Sequence, residues 1–329
     1  MVVIMEAGAA EAQIEGVIAW LNAHGFDVHR SSGAERTVLG AIGVRPGFDS
    51  ARVQALDGVA EVHRVTELVR LASRTRHRED TVVAVGGAPV GGPAVVLGAI
   101  VEAFGEAEGM EAAMARTAAH GAAVVRAGPR STQTAPYGVE EIAEPVLHRL
   151  RTAATTHGLG LVVEVAEAEA VARFADRADA FAVGARSMQH ARLLRTLGEA
   201  GLPVVLDRAP GAPVEAWLLA ADFILSHGNP HVILCERGPD LDAVVVAKRK
   251  SHLPVFVEPG GGPGTHVLPL ARAAVAAGAD GLAVALAVKE GGAAALAALA
   301  GPVRAVAEAV GRPLWAPRGT PQAGAGGAP

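Results

Sequence analysis

LGLVVEVAEAEAVARFADRADAFAVGA, residues 159–185, sets two apolar runs on either side of an Ala-rich stretch dotted with charges. The runs lack the polar alternation of a half-exposed strand, so each reads as a strand covered on both faces, as parallel strands are. The stretch between them reads as the covering helix. Outward from this unit the same pattern recurs in VVLGAIV (95–101), AVVRA (123–127), LPVVLDR (202–208), VILCERG (232–238), PVFVEP (254–259) and GLAVAL (281–286). With the first two runs that makes eight strand-and-helix units in about 220 residues, the size of a closed (β/α)8 TIM barrel. An open doubly wound sheet is the alternative, but no GxGxxG follows the first strand and eight is the number that closes.

Residues 1–70 have a different rhythm. VVIM (2–5) reads as a strand, Glu11 to His24 carries Ile14, Val17, Ile18 and Leu21 at helical spacing, and FDVHR (26–30) and TVLGAIGV (37–44) read as strands. Asp49 to Leu56 is a second helix and VAEVHRV (59–65) a last strand. The order βαββαβ is a ferredoxin-like α/β fold, whose open sheet face is suited to a partner or ligand. Residues 71–94 are expected to form a linker and hairpin: RLASRTRHRED (70–80) reads as charged and solvated, TVVAVGGAPVGG (81–92) as a Gly-turned hairpin. The barrel is expected over 95–313 and a low-complexity, disordered tail over 314–329.

Composition narrows the function. The chain of 329 residues is 50% hydrophobic, 19% charged and 3% aromatic, with a formal net charge of -5. No basic footprint points to nucleic acid. Cys235 is the single cysteine, which excludes a disulfide framework and fits a reducing cytoplasm. The first residues lack the charged and apolar regions of a signal peptide, and no run is apolar enough to span a membrane.

In a barrel of this kind the chemistry lies at the C-terminal ends of the strands. Those ends carry Glu102, Arg126, Glu164, Arg186, Asp207 with Arg208, Glu236 with Arg237, and Glu258. Arg126, Arg186, Arg208 and Arg237 converging on one mouth would suit an anion such as a phosphate; a ring of Arg–carboxylate pairs is the structural alternative. Lys248, Lys250 and Lys289 are the only lysines, none at a strand end, so Schiff-base chemistry is not expected. There is no HExxH, and His63, His148 and His157 read as surface or helix residues. Cys235, inside an apolar run, reads as core. EPGGGPGTH (258–266) is either a phosphate-wrapping loop or a plain Gly-tolerant one.

Longer motifs carry a resemblance. GNPHVILCERG (228–238), PVEAWLLAADFILSHGNP (213–230), GARSMQH (184–190), TAPYG (134–138), SHLPVFVEP (251–259) and PLARAAVAAGADGL (269–282) resemble 3-deoxy-D-arabino-heptulosonate 7-phosphate (DAHP) synthase. VHRSSGAERTVLG (28–40) resembles the ferredoxin-like regulatory extension of the type Iβ branch. The resemblance covers nearly the whole chain except the tail. It implies a barrel that condenses phosphoenolpyruvate with erythrose 4-phosphate at a divalent metal, in the shikimate pathway.

The family's functional positions are altered. Its metal ligands are a Cys, a His, a Glu and an Asp; the matching positions hold Ile100, Gly261, Ala285 and Leu296, which offer no side-chain donor. Glu102, Glu258 and His266 lie off those positions. The Lys and Arg of the family's KPRTSPY motif become Ser131 and Gln133, and the Lys of its LKRG motif becomes Asp207. At an effective dielectric near 20, one charge at about 4 Å is worth roughly 4 kcal/mol before desolvation, so phosphorylated substrates would lose much affinity. Arg126, Arg186, Arg208 and Arg237 remain as anion contacts.

The expectation is a non-catalytic family member without metal or other cofactor, acting by binding in aromatic amino acid biosynthesis. His29 and Ser31 match positions at which the family's regulatory domains hold tyrosine or phenylalanine, so an aromatic amino acid is the expected effector. A catalytic DAHP synthase or another shikimate-pathway enzyme is the expected partner, and a homodimer or homotetramer the expected assembly. The rival is a metal-independent condensation or lyase reaction on a smaller anion, with Glu102, Asp207 or Glu258 as acid or base.

Overall fold

The computed structural model describes residues 1–32, 36–42, 48–63, 69–102, 107–128, 142–238, 240–260, 266–286 and 292–316. They fall into two compact units, 1–68 and 69–329.

The first unit runs β1 (Val2–Met5), α1 (Glu11–Ala23), β2 (Asp27–Ser32), β3 (Thr37–Ile42), α2 (Ala51–Gln54), β4 (Val59–His63). Its antiparallel sheet has the order β2-β3-β1-β4, the ferredoxin-like arrangement. Val3 and Met5 of β1 and Leu39 and Ala41 of β3 are buried beneath Ile14, Val17 and Leu21 of α1, as alternation in strands and helical spacing in α1 require. The second helix is shorter than Asp49–Leu56: Asp49 Oδ1 accepts from Ala51 N at 2.9 Å to start it, and the chain turns at Gly58, whose φ is +81°.

In the second unit, residues 70–80 are not the free linker their charges suggested. Arg70 N and Ala72 N both donate to Asp222 Oδ1 at 2.9 Å, and Arg74 N donates to Lys250 O at 2.9 Å. Ser73 bridges to Ser251, and Ala72 and Ser73 are buried. Arg70, Leu71 and residues 75–80 are exposed. The hairpin β5 (Val83–Val85) and β6 (Ala88–Val90) follows, its valines fully buried in the same cluster as the inward residues of the barrel. Gly86 at its turn lies so close to β9 (Gly160–Val165) that a Cβ there would sit 2.2 Å from Gly160 Cα.

The barrel closes in the order β10-β11-β12-β13-β14-β7-β8-β9. Its strands are β7 (Val96–Glu102), β8 (Val124–Gly128), β9, β10 (Ala180–Val183), β11 (Val204–Asp207), β12 (Val232–Arg237), β13 (Val255–Glu258) and β14 (Gly281–Leu286). Between and after them come α3 (Ala107–Ala119), α4 (Glu144–Thr156), α5 (Ala168–Phe174), α6 (Ala191–Ala200), α7 (Val214–Ser226), α8 (Leu241–Lys250), α9 (Val267–Ala276) and α10 (Gly292–Ala309). Every strand expected from the sequence is present, within a residue or two at its ends. One apolar cluster packs strands against helices and a second fills the interior. Leu314 and Trp315, assigned above to the disordered tail, are instead paired: Trp315 N donates to Val95 O at 2.9 Å, and the residue packs on the inner cluster.

Candidate functional site

Because the strands are parallel, their C-terminal ends share one mouth. Val124, Val162, Val205, Cys235 and Phe256 belong to the inner cluster. Two residues further along each strand, on the same face, stand Arg126, Glu164, Asp207, Arg237 and Glu258. The same step places Ile100 on β7, Gly184 just past β10 and Ala285 on β14, so one ring of eight positions lines the upper interior.

The charged members of that ring form a continuous chain. Arg126 donates from Nη1 to Asp207 Oδ1 at 2.7 Å and from Nη2 to Asp207 Oδ2 at 2.8 Å. It also donates from Nη2 to Glu164 Oε2 at 2.6 Å and from Nε at 3.2 Å. Arg237 Nη1 reaches Asp207 Oδ2 at 3.5 Å while its Nε donates to Glu258 Oε2 at 2.5 Å. Asp207 is fully buried and Arg126 is 5% exposed. Two glycines make room for Glu164: a Cβ on Gly184 would lie 2.6 Å from Oε1, and one on Gly128 would lie 3.1 Å from Oε2. Beneath the ring a cavity of about 20 Å³, lined by Arg126, Cys235, Gly98 and Ala283 among others, has room for about one water.

Burial alone would pull the Arg126 guanidinium down, but Asp207 and Glu164 outweigh it and hold it well above the ordinary arginine range. Arg237 is likewise raised against its burial by Glu258 and Asp207. Burial, reinforced by Asp207, pushes the Cys235 thiol well up, so it is a neutral core group. Three carboxylates against two guanidiniums leave the chain with one net negative charge.

The four arginines expected together are not together. Arg126 and Arg237 are in the ring. Arg208, one residue past Asp207, is buried against Glu236 and Asp240 and donates to Ala212 O at 2.6 Å. Glu236 shares its strand face with Val232 and Leu234 of the outer cluster, so this group lies outside the barrel interior. Burial raises the Glu236 carboxyl despite Arg208. Arg186, in the turn after β10, is exposed and has no hydrogen-bond or ion-pair partner among the described residues. Of the acid–base candidates, Asp207 and Glu258 are tied up by arginine. Glu102 ends β7 opposite Gly128, its side chain outside the described residues. Glu164, expected at the mouth but not among the acid–base candidates, completes the chain as a lone charge in an otherwise apolar run. On β2, Arg30 pairs with Glu11 of α1, so His29 and Ser31 on the alternate face point away from the helices.

A divalent ion does not fit this ring. Ile100 and Ala285 are register partners on adjacent strands and bring no donor, and Leu296 is fully buried in the outer cluster. His266 is exposed at the start of α9; Ser131, Gln133 and Gly261 lie outside the described residues. Among the described residues no three His, Cys, Asp or Glu side chains are grouped to hold a metal.

Comparison with known proteins gives the chain a lineage. The family model described as "DAHP synthetase I family" matches residues 111–299, and one described as "DAHP synthase ferredoxin-like domain" matches residues 1–67. The chain is 35% identical over 302 residues to a phospho-2-dehydro-3-deoxyheptonate aldolase of Thermotoga maritima, covering 86% of this chain and 88% of that protein. A crystal structure of a Thermotoga maritima phospho-2-dehydro-3-deoxyheptonate aldolase (DAHP synthase) superposes with a TM-score of 0.73 at 30% identity, covering 95% of this chain and 98% of that one. A truncated form of the 3-deoxy-D-arabino-heptulosonate 7-phosphate synthase from the same organism superposes with a TM-score of 0.68 at 29% identity, covering 75% of this chain and all of that one.

Proposed function

The chain belongs to the DAHP synthase family, with its N-terminal ferredoxin-like domain, and from that premise we propose that it serves aromatic biosynthesis by binding and does not run the family's condensation. The observation that carries this reading is that Ile100 and Ala285, the donor-free residues that the resemblance matches to two of the family's metal ligands, are register partners on adjacent strands. The ion's task in such a reaction is to polarise the aldehyde, and this ring has no substitute: its carboxylates already answer guanidiniums. The anionic substrates fare no better, since Arg126 is neutralised by Asp207 and Glu164.

What remains is a barrel that keeps its packing and a regulatory domain whose His29 and Ser31 face away from its helices. We assign them to an aromatic amino acid effector, and the chain to a homodimer or homotetramer that meets a catalytic DAHP synthase or another shikimate-pathway enzyme in the cytoplasm. Among the described residues no helix is long and apolar enough to cross a membrane. The rival reading, a metal-independent reaction on a smaller anion, draws support from Arg186, exposed and unpaired among the described residues at the barrel mouth.

Purified protein incubated with phosphoenolpyruvate, erythrose 4-phosphate and Mn²⁺ is expected to consume no phosphoenolpyruvate above the blank. Turnover at rates ordinary for the family would overturn the reading. In a thermal-shift series, stabilisation by tyrosine or phenylalanine supports the effector role, whereas stabilisation by a phosphorylated sugar alone favours the rival.

A further inference from the structure

Asp207 approaches Arg126 the way a small carboxylate ligand would. Both of its oxygens are engaged by Nη1 and Nη2, at 2.7 Å and 2.8 Å, and Arg237 Nη1 also reaches Oδ2, at 3.5 Å. A guanidinium fork with a second cation beside it is the usual way to bind a free carboxylate or phosphate. Here the anion is attached to β11 and has no exposed surface at all.

We propose that Asp207 is a built-in ligand: its carboxylate occupies an anion cradle formed by Arg126 and Arg237, and deleting that carboxylate returns the cradle to a free monocarboxylate. The inference rests on reading the mouth as an anion site and not on the absence of turnover. Charge balance supports it. With Asp207 the chain Glu164, Arg126, Asp207, Arg237, Glu258 carries one net negative charge; without it the chain is neutral, and one bound monoanion restores the native balance. Hydrogen bonding points the same way. Arg126 would keep Glu164 but lose both bonds to Asp207, and a buried donor without a partner is costly. An acetate ion in the vacated space supplies the same two oxygens.

The test compares wild type, Asp207→Ala and Asp207→Asn by thermal melting in sodium acetate and in sodium chloride at equal ionic strength. In chloride, Asp207→Ala is expected to melt below wild type. Acetate then raises its Tm with the logarithm of acetate concentration, by roughly 3 °C at about ten times the dissociation constant, and leaves wild type unmoved. Asp207→Asn keeps the volume filled and gains no acetate response. Inorganic phosphate in place of acetate measures how large an anion the vacated space admits, and a larger shift with phosphate than with acetate would overturn the monocarboxylate assignment. An equal acetate shift in all three proteins, or none in a folded Asp207→Ala, would overturn the proposal. Should Asp207→Ala fail to fold in chloride, refolding in acetate decides: recovery of cooperative melting supports the built-in ligand, and no recovery rejects it. The phosphoenolpyruvate assay on wild type is untouched by any of these results, so the two readings fail separately.

Discussion

At the scale of single residues, the Arg126–Asp207 pair joins stability to specificity. Burying two charges is repaid only when each meets the other with good geometry, and removing one partner strands the remaining charge. Arg126→Met leaves Asp207 fully buried with Arg237, at 3.5 Å, as its remaining cationic partner among the described residues. The expected loss is about 3–5 kcal/mol, read from the shift of the urea midpoint at constant slope. The double variant Arg126→Met with Asp207→Leu is expected to recover most of that loss, because an apolar pair owes no desolvation. A double variant no more stable than the single one would show that the pair fills space that apolar side chains cannot. The sequence carried the members of this ring well, since each stands two residues beyond an inward apolar residue on its strand. It did not carry the pairing. Asp207 and Arg208 are neighbours in the chain yet face opposite sides of the barrel wall, one meeting Arg126 and the other Glu236. A single-residue step reverses facing, and a charged residue past a strand end gives no hydropathy signal by which to choose.

At the scale of elements, strands were legible because continuous apolar runs have few other uses, whereas the strap at residues 70–80 was not. Its attachment is made by backbone groups: two amides on Asp222, another on Lys250 O, and a bridge at Ser73. Its sequence shows only charges that mostly face water. His252 pins the far end, with Nδ1 2.7 Å from Thr81 Oγ1 and Nε2 2.8 Å from Leu71 O. The His77 ring lies 4.6 Å away, and Arg74 and Asp80 also act on it. Burial, together with His77 and Arg74, lowers the imidazole pKa against the opposing pull of the Leu71 carbonyl and Asp80. A lowered folded value means the unfolded chain binds the proton more readily. The contribution is therefore complete above the ordinary imidazole pKa of about 6.5 and is lost as pH falls through the folded value. The wild-type Tm is expected to drop more steeply than that of His252→Gln as pH is lowered from neutrality toward 5. Parallel pH profiles would remove His252 from the account of acid sensitivity.

At the scale of the whole molecule, the two units differ in how they secure themselves. The barrel unit holds its own entry and exit: the strap is bound by Asp222, Lys250 and His252, and Trp315 returns to pair with Val95, all within residues 69–329. Among its described residues the ferredoxin-like unit buries ten apolar side chains in a core of its own, in a length at which a single core is only marginally stable. From the sequence, the order βαββαβ predicts a domain over residues 1–70, and the contact units divide after residue 68. These differences set an order of dependence. Residues 69–329 alone are expected to give a cooperative melt within a few degrees of the main transition of the full chain, and to lose whatever response tyrosine or phenylalanine evokes. Residues 1–68 alone are expected to melt earlier and over a broader range, as a small core with low unfolding enthalpy must. Circular dichroism of the two pieces beside the full chain decides it: aggregation or a non-cooperative melt of 69–329 would mean that the barrel draws stability from the domain ahead of it, and an effector response retained by 69–329 would move the binding site away from His29 and Ser31.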